Sequence, residues 1–215
     1  MLQAGTMGGR ISVLVALGLL LSGCASMSKN ECLAVDWRMV GYEDGVAGRG
    51  GDQIAQHRKA CARHGVVPEF DAYQSGRLMG LQEFCRPASG FRVGARGAGY
   101  GGVCPAELEP DFVDAYVAGL HLFSLQSRVN EAARQVSAWR REVDDIEHRL
   151  AQHAVVIVSN DATAEQRAEA LVETRQLSER SSRLKSDIRR LERDQAIFER
   201  ELEEYRATLS WLPVG

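Results

Sequence analysis

The clearest pattern of apolar and polar positions lies in the C-terminal half. Leu122, Leu125, Val129, Ala132, Val136, Trp139, Val143, Ile146, Leu150, His153 and Ile157 follow one another in alternating steps of three and four. Such a seam predicts a long amphipathic helix of coiled-coil type. Ser159-Asn160-Asp161-Ala162-Thr163 interrupts it, and Thr163 with Gln166 has the spacing of a capping box that starts a second helix. The rhythm then resumes through Leu177, Ser181, Leu184, Ile188, Leu191, Gln195, Phe198, Leu202, Tyr205 and Leu209, and stops at Trp211-Leu-Pro213. Arg and Glu fill the outer positions. Two helices of matched length and a short turn predict an antiparallel coiled-coil hairpin over 121–212. Folding about residue 160 puts Trp139 opposite Ser181, Ala132 opposite Ile188, and His153 near Arg167.

The preceding segment, 32–120, has a different texture. An acid, an aromatic and spaced glycines recur as Asp36-Trp37…Gly41…Gly45, Asp71-Ala-Tyr73…Gly76…Gly80 and Asp114-Ala-Tyr116…Gly119. Glycine inside a helix costs about 1 kcal/mol against alanine, so glycines four apart need a packing reason, and close approach of helix backbones supplies one. Short helices are predicted at about 33–47, 52–63, 69–84 and from 111 onward. The three acids read as helix-start caps or as partners of the helix dipole, with a binding role as the lesser alternative. The stretch from Arg86 to Gly102 sets arginines and aromatics among glycines and reads as an irregular loop with positive-φ glycines.

At the N-terminus, Arg10 precedes an apolar run, Ile11 to Leu21, too short to span a bilayer as a helix, which takes about 20 residues. Leu21-Ser22-Gly23-Cys24 follows, and resembles the lipobox of bacterial lipoproteins. That resemblance implies cleavage before Cys24 and acylation of this cysteine. Two or three acyl chains hold a protein durably where one does not. Ala25 in place of Asp implies export to the outer membrane, with the chain facing the periplasm. Met7 is as good a start as Met1 for this purpose. Residues 24–31 form a short tether.

Loss of residues 1–23 removes Arg10 and no acid, so the formal charge moves from −3 to −4. A chain with no clustered positive field is not expected to bind nucleic acid. The four remaining cysteines, Cys32, Cys61, Cys85 and Cys104, are an even number in an exported chain and allow three disulfide pairings. Sequential pairing is expected: Cys32 with Cys61 at the outer ends of a helical hairpin turning at 48–51, and Cys85 with Cys104 closing the glycine-rich loop. A zinc site would bring its cysteines in close pairs, which this chain lacks. None of the five histidines stands in a metal-binding spacing, and neither metal nor cofactor is expected.

The four cysteines, the early Asp-Trp with Gly-x-x-x-Gly, Tyr73-x-x-Gly-x-x-x-Gly-Leu81, Phe84-Cys85 and Tyr100-Gly-Gly-Val-Cys104 together resemble an uncharacterised proteobacterial lipoprotein family, domain of unknown function 2799, over about residues 30–125. The resemblance carries no activity with it. The expected fold class is therefore all-α, a small disulfide-stapled helical domain followed by the hairpin. The expected role is non-enzymatic: a membrane-anchored envelope protein that meets a protein partner through the coiled coil. The alternative is a binding module for a cell-wall glycan or peptide, with Trp37, Tyr73, Phe91, Arg92, Arg96 and Tyr100 as contacts. Nucleophile–base pairs and paired carboxylates are not evident in the sequence.

Overall fold

A computed structural model describes residues 27–209 and contains seven helices and no strand among them: α1 (Lys29–Ala34), α2 (Trp37–Val46), α3 (Gln53–Ala62), α4 (Phe70–Phe84), α5 (Pro87–Ala95), α6 (Glu109–Val158) and α7 (Ala164–Thr208). The residues read as a signal segment, Cys24 and the start of the expected tether lie outside the described residues. Both disulfides pair sequentially, Cys32 with Cys61 and Cys85 with Cys104. Contacts divide the chain into two compact units that meet within α4, one ending at Gly80 and the other starting at Leu81.

In the first unit, the single helix expected at 33–47 is two. Asp36 sits in extended backbone, and its carboxylate accepts hydrogen bonds from the Arg38 and Met39 amides, so it ends the approach of α1 and starts α2. Helix α1 has its own capping box, Ser28 with Glu31, which holds the Glu31 carboxyl below its usual range through hydrogen bonds from the Ser28 backbone and side chain. Cys32, Trp37, Cys61 and Tyr73 form the core, with Val35, Val40, Ile54 and Val66 packed against it. Helices α2 and α4 cross with backbones in contact. A Cβ on Gly41 would overlap the Tyr73 carbonyl, and one on Gly76 would overlap the Arg38 carbonyl. The glycines anticipated as smooth strips are thus where two backbones touch.

The second unit repeats this device. Its core is Leu81, Cys85, Val93, Cys104 and Phe112, flanked by Phe84, Tyr100 and Tyr116. The segment read as an irregular loop, 86–102, is instead mostly helix α5, which starts with Pro87 in its first turn and ends at Gly97, φ 69°. The reading failed because Gly90 and Gly94 were counted as loop formers. They are crossing residues: a Cβ on Gly94 would overlap the Tyr116 carbonyl of α6, and one on Gly119 would overlap the Phe91 carbonyl of α5.

The two crossings correspond residue by residue. Cys32 and Gly41 are spaced as Cys85 and Gly94 are, and Cys61, Tyr73 and Gly76 are spaced as Cys104, Tyr116 and Gly119 are. Each unit is therefore built on one pattern: cysteine, crossing glycine, cysteine, tyrosine, crossing glycine. They differ between the crossing glycine and the second cysteine. In the first unit α2 continues for another turn before its terminating glycine, Gly48 (φ 67°), and α3 is inserted after it.

Beyond the crossing, α6 runs unbroken through residue 120 to Val158 and packs antiparallel on α7, which is about 68 Å long at 1.5 Å per residue. Thr163 and Gln166 form the capping box that starts α7. The register differs from that expected. His153 meets Glu173 at 2.8 Å, a pair whose midpoint is residue 163 rather than 160, so His153 does not face Arg167. Trp139 accordingly packs in a cluster with Val136, Val143, Leu184, Ile188 and Leu191 rather than opposite Ser181. The turn supplies the reason: Ser159 to Ala162 lie before the cap, so the fold point moves toward α7.

Candidate functional site

Two features stand apart from the repeated scaffold. The first is a polar cluster inside the first unit. Asp44 lies in the extra turn of α2 and is only 6% exposed. Its Oδ2 accepts hydrogen bonds from the Tyr73 hydroxyl of α4, at 2.8 Å, and from His57 Nε2 of α3, at 2.7 Å. The Arg49 guanidinium stands 3.6 Å from Oδ1. Arg77, also buried, donates from Nε and an Nη to the Arg49 carbonyl at 3.1 and 2.9 Å, holding the turn after α2. Tyr73 is fully buried, and its phenol is pushed well above the ordinary tyrosine range, first by burial and then by its hydrogen bond to the Asp44 carboxylate.

This cluster ties α2, the following turn, inserted α3 and α4 together through groups that satisfy one another. It holds an imidazole–carboxylate–phenol chain, and Cys61 of the same helix is held in the disulfide to Cys32. These contacts lock the three helices and the turn to one another. The second unit has no counterpart, because α5 ends before the position of Asp44 and Tyr116 instead donates to the Ala98 carbonyl.

The second feature is the tip of the hairpin. Between Leu150 and Glu165 the only formally charged residue is Asp161, whereas residues 140–149 carry seven charges. Val155 (67% exposed), Val158 (77%), Leu171 and Val172 face solvent there. Between the arms lies a depression of about 550 Å³ lined by His153, Val155, Val156, Ala170 and Glu173 among others. The turn is well braced: the Asp161 amide donates to Ser159 Oγ, and Arg167 donates to the Ala162 carbonyl. Asp161, Glu169 and Glu173 line that depression beside the aliphatic residues, while Arg167 is engaged by the turn.

The six residues expected as ligand contacts are distributed between the units. Trp37 and Tyr73 belong to the core of the first and offer no face to a ligand. In the second unit, Arg92 is exposed and donates to Ser89 Oγ, and Arg96 is exposed at the end of α5. The Tyr100 ring lies tilted against Phe112, centroids 4.7 Å apart, and its hydroxyl donates to Glu109 and accepts from the Cys104 amide. Phe91 lends its backbone to the α5–α6 crossing. Sequence reading missed Asp44, His57, Arg49 and Arg77 altogether. Only the departure from the repeat, an acid and a histidine in the inserted segment, could have singled them out.

Residues 36–121 match a family described as "Protein of unknown function (DUF2799)". The match covers the two crossings and both second cysteines, and stops before the hairpin. No curated protein and no solved structure matches the chain.

Proposed function

We propose that this chain is a lipid-anchored protein of the bacterial cell envelope, on the outer membrane facing the periplasm, whose role is non-enzymatic and is exercised through the hairpin. The observation that carries the reading is the tip. An exposed aliphatic patch at the end of a heavily charged rod has no role in stabilising the rod, and apolar surface grouped within a polar rim marks a protein contact. The acids around it point to a partner whose apolar socket is edged by Lys or Arg. The anchor rests on the Leu21-Ser22-Gly23-Cys24 sequence, and the polar lock in the first unit supports a scaffold rather than a catalyst.

Two variants test the two halves of the reading. With a photo-crosslinking residue at Asn160 in living cells, a discrete adduct is expected, and it should vanish when Val155→Asp and Val158→Asp are combined. An adduct pattern indifferent to that double change refutes the tip as the contact. A Cys24→Ser chain is expected to lose acyl labelling and membrane fractionation while keeping its fold. Retention of full cellular function by that unlipidated form refutes the anchored role.

A further inference from the structure

Near the base of the hairpin, on one side of the α6–α7 pair, lies an open groove of about 870 Å³. Phe123, Trp139, Leu191 and Phe198 form its apolar walls, and Ser124 and Ser127 keep its floor low. Phe123 is 42% exposed, and Arg128 lies over the Phe198 ring at 4.1 Å while bonding Glu201. Val136, Val143 and Ile188 close the seam between the two helices, with Trp139 and Leu191 packed at its edge, so the groove that opens from that edge toward half-exposed Phe123 is surface left for another helix.

The residues of the groove are arranged symmetrically along α6. Phe123 and Trp139 each lie eight positions from Glu131, and Arg128 and Arg134 each lie three positions from it. We infer that this groove receives the same groove of a second copy of the chain, in an antiparallel two-fold pair centred on Glu131. Eight residues of helix are about 12 Å, so the two-fold brings the Trp139 side chain of each copy level with Ser124 of the other, while Phe123, about 160° round α6 from Trp139, closes the opposite edge. There the serines leave room and Phe198 supplies a wall. At the centre, two Glu131 carboxylates meet among four guanidiniums, those of Arg128 and Arg134 from both copies. In the single chain Arg134 spends its charge on Glu131 across an exposed i,i+3 pair, which contributes little. In the pair the same charges are complementary across the interface, which selects this register over shifted ones.

The test uses the full chain carrying Cys24→Ser, free of detergent. Sedimentation equilibrium should give twice the monomer mass, dissociating on dilution. Glu131→Arg gathers six cations at the two-fold and should weaken the dimer at least 100-fold, with the helical circular dichroism unchanged because Glu131 is exposed. Adding Arg134→Glu to that variant should restore most of the association. A nitroxide on Asn160→Cys should report tips at opposite ends, about 90 Å apart by helix rise. A chain that stays monomeric at every concentration overturns the inference, as does a dimer indifferent to Glu131→Arg. A short tip-to-tip distance overturns the antiparallel arrangement and with it the proposed pairing.

Discussion

Replacing Asp44 by alanine is the sharpest probe of the first unit. The side chain is buried, and its removal leaves the Tyr73 hydroxyl, the His57 imidazole and the Arg49 guanidinium without their common acceptor. Stranding a buried hydroxyl costs about 1–3 kcal/mol. Removing one member of a buried charged pair costs about 3–5 kcal/mol. His57 retains 17% side-chain exposure and Arg49 retains 53%, so water partly compensates both and the lower end applies. The expected loss is about 3 kcal/mol, which in a unit this small lowers the melting midpoint by more than ~10 °C. Trp37 lies 6.3 Å from His57 and reports the change in a Trp139→Phe, Trp211→Phe background. Urea unfolding followed by that fluorescence should show the full loss for Asp44→Ala. Tyr73→Phe should lose only about 1 kcal/mol, because Asp44 keeps His57 and Arg49. If Asp44→Ala unfolds within about 0.5 kcal/mol of the parent, or if Tyr73→Phe costs as much as Asp44→Ala, the lock is not what holds α3 in place.

The same phenol gives an alkaline dependence. Its folded-state pKa lies above the unfolded value near 10, so its contribution is whole below about pH 10 and is lost as the pH climbs toward the raised value; the first unit's urea midpoint should fall over that range and Tyr73→Phe should flatten the fall. Gly76→Ala sets a Cβ into the Arg38 carbonyl and should cost several kcal/mol, whereas Gly99→Ala, with no atom near its added carbon, should change unfolding by less than about 0.5 kcal/mol. Reduction of Cys32–Cys61, which closes 29 residues, should cost about 3.5 kcal/mol, and reduction of Cys85–Cys104, which closes 19, about 3 kcal/mol, read as separate losses in calorimetry of single-pair Cys→Ala variants.

The hairpin was legible because a seam of threes and fours over more than thirty residues has one physical meaning, and the capping pair Thr163 and Gln166 marks its second arm without reference to anything distant. Of the three pairings that four cysteines allow, the sequential one expected from a helical hairpin at 48–51 and a closed glycine-rich segment is the one formed. The register was not legible, since it depends on how many residues the turn holds before the cap, and the pattern of the arms is nearly unchanged by a shift of a few residues. Helix α5 was hidden for a different reason. Gly90 and Gly94 have poor helix propensity, and only contact with Phe112 and Tyr116 of α6 makes that composition favourable. The cluster around Asp44 was invisible in the same way. Its members lie on three helices, and no local spacing connects residues 44, 57, 73 and 77.

The repeat separates what the scaffold explains from what it does not. The first cysteine and its crossing glycine recur at one spacing, and the second cysteine, the tyrosine at 73 or 116 and the second crossing glycine at another, so one requirement, two helix backbones in contact beside a disulfide, accounts for them in both units. Whatever occurs once needs another cause. In the first unit the unique elements are the added turn of α2, inserted α3 and the Asp44 network, and these account for one another: the insertion needs anchoring, and His57 on α3 is anchored by Asp44 on the added turn. In the second unit the unique element is the length of α6. The last residue it contributes to the crossing is near Leu120, yet it continues for some ten turns, and neither the core around Phe112 nor the crossing requires them. A helix of ordinary length would complete that unit. On the surface that the added turns and α7 carry, the two features with apolar walls are the groove beside Trp139, edged by Arg128, Glu131 and Arg134, and the aliphatic tip.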